Sequence, residues 1–245
     1  MTSTEAIIYQ LKQLKGKPFK QKAEHILTYF WLPILLVLVL LVGLISDIVH
    51  ITTQKDVALN VVCLNTFAEQ ETAEAYLAGF SQAAGIDLEE YEMYISTNMM
   101  LDDHDISDSY GISQLLTAQI AAQSLDVIAA DLETATYFFY QGYYENLDQV
   151  LTPQQLKQYA DYLLYVDMAV VRQLQGDMTE ALPIFPDPTQ PEAMIEPVAV
   201  ALRIPRDSVF KDTCYPYIGT DIGIGLVVNS QNISNALAFL NYVME

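Results

Sequence analysis

Val57-Ala-Leu-Asn-Val-Val-Cys-Leu64 is a β-branched, nearly unbroken apolar run of strand length, the pattern of a strand covered on both faces. After it, Ala73, Tyr76, Leu77 and Phe80 recur at helical spacing between Glu69 and Ala84, with Gly85 placed to cap the helix. Glu92 to Ser96 reads as a second strand and Ser109 to Ser124 as a second helix. Asp126 to Ala130 then reads as a third strand, and Leu132 to Gln141 as a third helix. Strand and helix alternate three times, which predicts an α/β domain with a mainly parallel sheet covered by helices. Further on, Thr152-Pro153 opens a helix to Tyr159, with Thr as N-cap and Pro in the first turn. Residues 161–169 read as a strand, 170–177 as a polar turn and the proline-rich 183–197 as a loop. Strands are expected at 198–204 and 223–228, and a closing helix at 235–244 with Ser234 as its N-cap.

On the N-terminal side of Val57 the pattern changes. Residues 26–46, ILTYFWLPILLVLVLLVGLIS, contain no charged side chain, and a helix of that length covers a hydrocarbon core of about 30 Å. The run exceeds a signal-peptide core, lacks a small-x-small cleavage site, and has no cysteine directly after it for lipidation. It predicts one uncleaved transmembrane helix over residues 26–48. Pro33 falls near the start of that span, and Tyr29 and Trp31 lie where an interfacial aromatic belt belongs. Residues 1–25 carry five lysines against two glutamates, a net +3. The positive-inside rule therefore places them in the cytoplasm and the rest of the chain, through a linker at 49–55, outside. The lysines either set topology alone or also rest on anionic lipid.

The whole chain has 245 residues and a formal charge of −20, 52% hydrophobic and 17% charged residues. With 16 Tyr, 9 Phe and 1 Trp, it is too aromatic for a disordered acidic chain. Beyond residue 25 there are six basic side chains against twenty-nine acidic ones, −23. Such a surface offers no basic stripe, so nucleic acid is not expected as a partner.

Lys55-Asp56-Val57 leading to Asn65, Leu125-Asp-Val-Ile-Ala-Ala-Asp131, and Gln141-Gly142-Tyr143 with Asn146-Leu-Asp148 resemble the first lobe of extracytoplasmic solute-binding proteins of the type II periplasmic-binding class. Tyr217-Ile-Gly219 through Gly225-Leu-Val-Val-Asn229 to Ala236–Tyr242 is similar to the chain's return to that lobe. The order of basic arm, aromatic-rich span and this pattern also resembles membrane-anchored relatives in Gram-positive bacteria. The resemblance implies a periplasmic-binding-protein-like domain over residues 56–245. Its second lobe must be small, because the domain has about 190 residues. In such a fold ligands sit at the carboxyl ends of the strands, which here means Asn65, Thr66, Asp131, Glu133, Thr134 and Tyr137. The aromatic group Tyr137-Phe-Phe-Tyr140 with Tyr143 and Tyr144 has three readings: stacking on a sugar, packing on the sheet, or meeting a protein partner.

Catalytic signals are sparse. Read as a calcium loop from Asp103, the acidic segment 101–108 has Asp108 where Gly belongs and Gln114 where Glu belongs. His104 is the lone histidine of the domain, and no nucleophile motif accompanies it. Gly219, Gly223 and Gly225 precede a strand, so they are not a dinucleotide fingerprint. Cys63 and Cys214 are either disulfide-bridged or separately buried. No catalytic residue, metal or cofactor is expected. The leading expectation is a membrane-anchored extracytoplasmic domain that binds a small solute or serves as accessory subunit of a transport complex. Its partners would be membrane lipid through residues 26–48, a small solute, and a membrane transport or envelope protein. The competing expectations are a scaffold domain that has lost ligand binding and, more remotely, a cell-envelope hydrolase.

Overall fold

The computed structural model describes residues 9, 18–53, 55–101, 106–175, 184–216 and 219–245. The readings made on 1–8, 10–17, the core of the acidic loop with His104, residues 176–183 and Tyr217-Ile218 lie outside these. The chain divides into two units, Met1–Gln54 and Lys55–Glu245.

The first unit contains α1, Phe19–Thr53, a continuous 35-residue helix that includes the uncharged run. Among the described residues no helix is long and apolar enough to cross a membrane. Pro33 is not at a helix start as expected: α1 begins at Phe19, so Pro33 is interior. It leaves the carbonyl four residues earlier without its N–H partner.

The second unit is built on one six-stranded sheet in the order β2-β1-β3-β6-β5-β4. The strands are β1 Asp56–Leu64, β2 Tyr91–Met99, β3 Val127–Asp131, β4 Leu163–Asp167, β5 Pro197–Arg203 and β6 Ile222–Leu226. Its helices are α2 Gln70–Ala84, α3 Ile106–Ala121, α4 Leu132–Tyr140, α5 Leu147–Val150, α6 Pro153–Gln158, α7 Met168–Leu174, α8 Val209–Cys214 and α9 Ile233–Met244. β1 pairs in parallel with β2 and β3, while β3–β6, β6–β5 and β5–β4 are antiparallel. The fold is α/β, but the sheet is mixed and not mainly parallel: β6 and β4 run against the direction shared by β1, β2, β3 and β5. That also removes the expected second lobe. β4 and β5 join the same sheet, and the described residues of 55–245 form a single unit.

β1 behaves as its composition predicts. Leu59, Val61 and Cys63 face one core with Phe80, Phe210 and Phe239, whereas Val62 and Leu64 face the other with Phe138, Phe139 and Leu116. Alternate side chains of one strand thus enter two cores, which is why it has almost no polar positions. Gly85 closes α2 in the left-handed conformation at φ 69°. Thr152 and Gln155 form a capping box ahead of α6. Two local expectations change: residues 170–174 are not part of a polar turn but continue α7, and α9 starts at Ile233 after Asn232, two residues before its expected start.

α7 begins where it does because Asp167 caps it. The buried Asp167 carboxylate accepts from Ala169 N at 3.0 Å, Ile195 N at 2.8 Å and Glu196 N at 3.1 Å, so it also pins the proline-rich loop. Burial alone would raise its pKa. The three N–H donors and the nearby Arg172 charge outweigh that and hold it below the usual carboxylate range. A depressed folded pKa stabilises above the unfolded value of about 3.9 and is lost as pH falls through the folded value. The melting temperature is therefore expected to drop below about pH 4, with a shallower acid slope in Asp167→Asn. Equal slopes in scanning calorimetry would contradict this account.

Candidate functional site

The carboxyl ends of β1 and β3 lie side by side, with Cys63 in register with Ala129. Asn65 follows β1 directly at φ 53°, a left-handed conformation that Asn tolerates better than most residues. Its amide nitrogen donates to Asp131 Oδ2 at 2.9 Å and Thr134 Oγ1 at 2.8 Å, and its amide oxygen accepts from Leu101 N at 2.7 Å. Its backbone N–H reaches Met99 O at 3.0 Å. Asp131 caps α4 by accepting from Thr134 N at 3.0 Å. The structure thus brings together three of the six residues expected at the site and bonds them to one another.

The other three separate. Thr66 is buried and its hydroxyl donates to the Cys214 carbonyl. Glu133 and Tyr137 are exposed on α4, Tyr137 at 48%. The rest of the aromatic group is mostly core: Phe138, Phe139, Tyr140 and Tyr144 are buried, with Phe139 edge-on to Tyr144 at 4.9 Å and Tyr140 stacked on Phe185 at 4.3 Å. Burial, reinforced by the Asp131 charge, keeps the Tyr144 phenol protonated far above its ordinary range, and its oxygen has no hydrogen-bond partner among the described residues.

The same edge holds residues that the sequence reading did not single out. A cavity of about 300 Å³ is lined by Tyr162, Arg203, Ile204, Pro205, Arg206, Asp207 and Asp221. Asp221 Oδ2 stands 3.5 Å from Arg203 Nη1 and Asp221 Oδ1 stands 3.2 Å from Arg206 Nε, while Arg203 Nη2 donates to the Asp161 carbonyl at 3.1 Å. Lys211 reaches the Thr220 carbonyl at 3.1 Å. The backbone links the two parts of the edge, since Leu132 N donates to Asp221 O at 3.0 Å. A signal was present: Arg203, Arg206 and Lys211 are half of the six basic residues beyond the arm, placed within nine positions. The edge offers recognition by charge and hydrogen bonding, with a cavity at the lower limit of small-molecule sites.

No family model matches the chain, and no curated protein matches it. One solved structure, described as "Structure of the periplasmic binding protein P5PA", is similar at 11% identity and a TM-score of 0.36, over 78% of this chain and 80% of that one.

Proposed function

We propose that this protein is a membrane-anchored interaction domain. Its α/β unit stands outside the membrane and meets a membrane transport or envelope protein through the carboxyl edge of the sheet. The observation behind this reading is that Asn65, Asp131 and Thr134 spend their side chains on one another, in a unit whose described residues form a single compact body. Binding by lobe closure needs free polar groups and a moving partner surface. A static edge flanked by the exposed Glu133 and Tyr137 suits protein contact better.

Anchoring through residues 26–48 is part of the same proposal. It is supported by the uncharged run within one continuous helix and by the large apolar side chains exposed along it, from 42% at Ile34 to 60% at Leu32. Such a surface is unfavourable in water. In intact cells, an impermeant thiol reagent is expected to label Glu245→Cys and to spare Ser3→Cys. The reverse pattern would invert the topology.

A photoreactive residue at Glu133 or Tyr137 is expected to give a discrete adduct with a membrane protein in native membranes. One at Glu89, exposed just ahead of β2 at the opposite edge, is not. Equal adducts from both edges, or none, would count against the interaction reading.

The cavity at Arg203, Arg206 and Asp221 favours a second reading, small-solute binding. A solute present at a hundred times its Kd would raise the melting temperature by about 5–10 °C. Such a rise among sugars, amino acids and peptides, lost in Arg206→Ala, would select it over the first.

A further inference from the structure

Cys63 lies in β1 and Cys214 ends α8, far apart in sequence, yet both are fully buried in the same core. Neither has a solvent path: each is 0% exposed. Both are free thiols in this structure, and they share that core with Tyr215. The flanking backbone is tied at the same place. Tyr215 Oη donates to the Leu64 carbonyl at 3.2 Å, and Thr66 Oγ1 donates to the Cys214 carbonyl. Residues 64 and 66 are thus bonded to 215 and 214, which ties the two cysteine-bearing segments together at this point.

We propose that Cys63 and Cys214 are joined by an intramolecular disulfide, formed while the domain folds and supplied by a disulfide-bearing oxidant of the thiol-oxidoreductase class. The step balances as thiol–disulfide exchange. One cysteine thiolate attacks the oxidant's S–S bond, forming a mixed disulfide and releasing one thiolate. The second cysteine thiolate attacks the mixed disulfide, the Cys63–Cys214 S–S bond forms, and the oxidant leaves as its second thiolate. The cysteines lose two electrons and the oxidant gains them. The protons shed by the cysteines reach the two leaving thiolates through solvent.

Timing follows from burial. Exchange needs an accessible thiolate, and in the folded domain both thiols are enclosed. The Cys214 thiol beside it and the loss of water hold Cys63 well above the ordinary thiol range. Once folded, the reduced pair is inert to oxidants and the oxidised pair is inert to reductants. The bridge would staple the end of β1, which leads into Asn65 and Thr66, to the segment that follows Arg203, Arg206 and Lys211. Both parts of the carboxyl edge would then share one covalent anchor.

The test uses the full chain, unfolded and reduced in detergent, then refolded in mixed reduced and oxidised glutathione. It is denatured again without reductant and treated with a maleimide. The expected result is a monomer with no maleimide by intact mass, and two maleimides after reduction. The melting temperature of the bridged protein is expected to exceed that of the reduced one by about 5–15 °C, a difference absent from the Cys63→Ala/Cys214→Ala variant. If that variant does not fold, the maleimide count on the natural chain still decides. Two maleimides without reduction, glutathione adducts on either cysteine, or disulfide-linked dimers would overturn the proposal. Because refolding is done in vitro, the result is independent of the membrane topology proposed above.

Discussion

Gly225→Ala is expected to lower the stability of the α/β unit by about 2–4 kcal/mol. Gly225 sits in β6, inside the sheet, opposite Ile128 of β3. A Cβ there would overlap the Tyr144 ring and come within 2.9 Å of the Val200 carbonyl oxygen of β5. The ring cannot easily retreat. The Tyr144 backbone bridges Val227, Glu145 N donates to Leu226 O at 2.9 Å, and Val228 N donates to Tyr143 O at 3.0 Å. Phe139 closes the other side. Strand β6 can accept Tyr144 across it only because position 225 has no side chain, a packing role for glycine in place of a turn role. Gly111→Ala is the control: in α3 its Cβ would meet nothing within 4 Å, so it should stabilise by about 0.5–1 kcal/mol. Urea titration of both variants checks the pair. Opposite signs are expected, and Tyr144→Leu added to Gly225→Ala should restore part of the loss, since the two residues share one space. Equal small effects would mean that the Tyr144 ring does not depend on that gap.

That contact shows what the sequence withheld. Strands are legible from periodicity and β-branching, and each of the six lies within a few residues of its expected place. The clearest is β1, because burial on two faces leaves an almost uninterrupted apolar run. Direction is not written in periodicity. β6 runs antiparallel between β3 and β5, and nothing in Ile222-Gly-Ile-Gly-Leu226 distinguishes that from a parallel strand. The expectation of a mainly parallel sheet rests on the strand-helix alternation before residue 142, and that of a small second lobe on the resemblance to two-lobed binding proteins; neither reads the direction of β6. α7 was hidden by its length of 7 residues, too short for helical spacing to separate from a polar turn. At the site, Asn65, Asp131 and Thr134 were found from a rule about strand ends, but the rule says where polar groups gather and not whether they are free. The arginine cavity was missed although scarcity marked it: in a strongly acidic domain, three cations within nine positions need an explanation.

Whether the Asn65 cluster is a scaffold or a vacant recognition site can be decided by stability alone, and Asn65→Ala is expected to cost about 3–5 kcal/mol. Two effects add. The side chain makes bonds to Asp131, Thr134 and Leu101 N, and its loss strands a main-chain N–H and a carboxylate oxygen that are only partly reached by water. Separately, at φ 53° an alanine Cβ is crowded in a way that costs about 1–2 kcal/mol. Asn65→Gly separates the two, because glycine adopts this conformation without strain but makes none of the bonds. It should therefore lose less than Asn65→Ala, by about the conformational term. Asn65→Asp keeps an acceptor for Leu101 N but faces Asp131 with a second carboxylate, so it should lose most at neutral pH and recover as the pH falls toward the carboxylate range. The order Gly, Ala, Asp in increasing loss at pH 7, read from chemical denaturation, would identify the cluster as part of the frame that presents the edge. Residues kept for a ligand behave differently. Their polar groups are strained or unsatisfied in the free protein, and truncating them is commonly neutral or stabilising. If Asn65→Ala left the denaturation midpoint unchanged or raised it, the bonds seen here would be weak in solution, and the carboxyl edge would again be a candidate for a small solute.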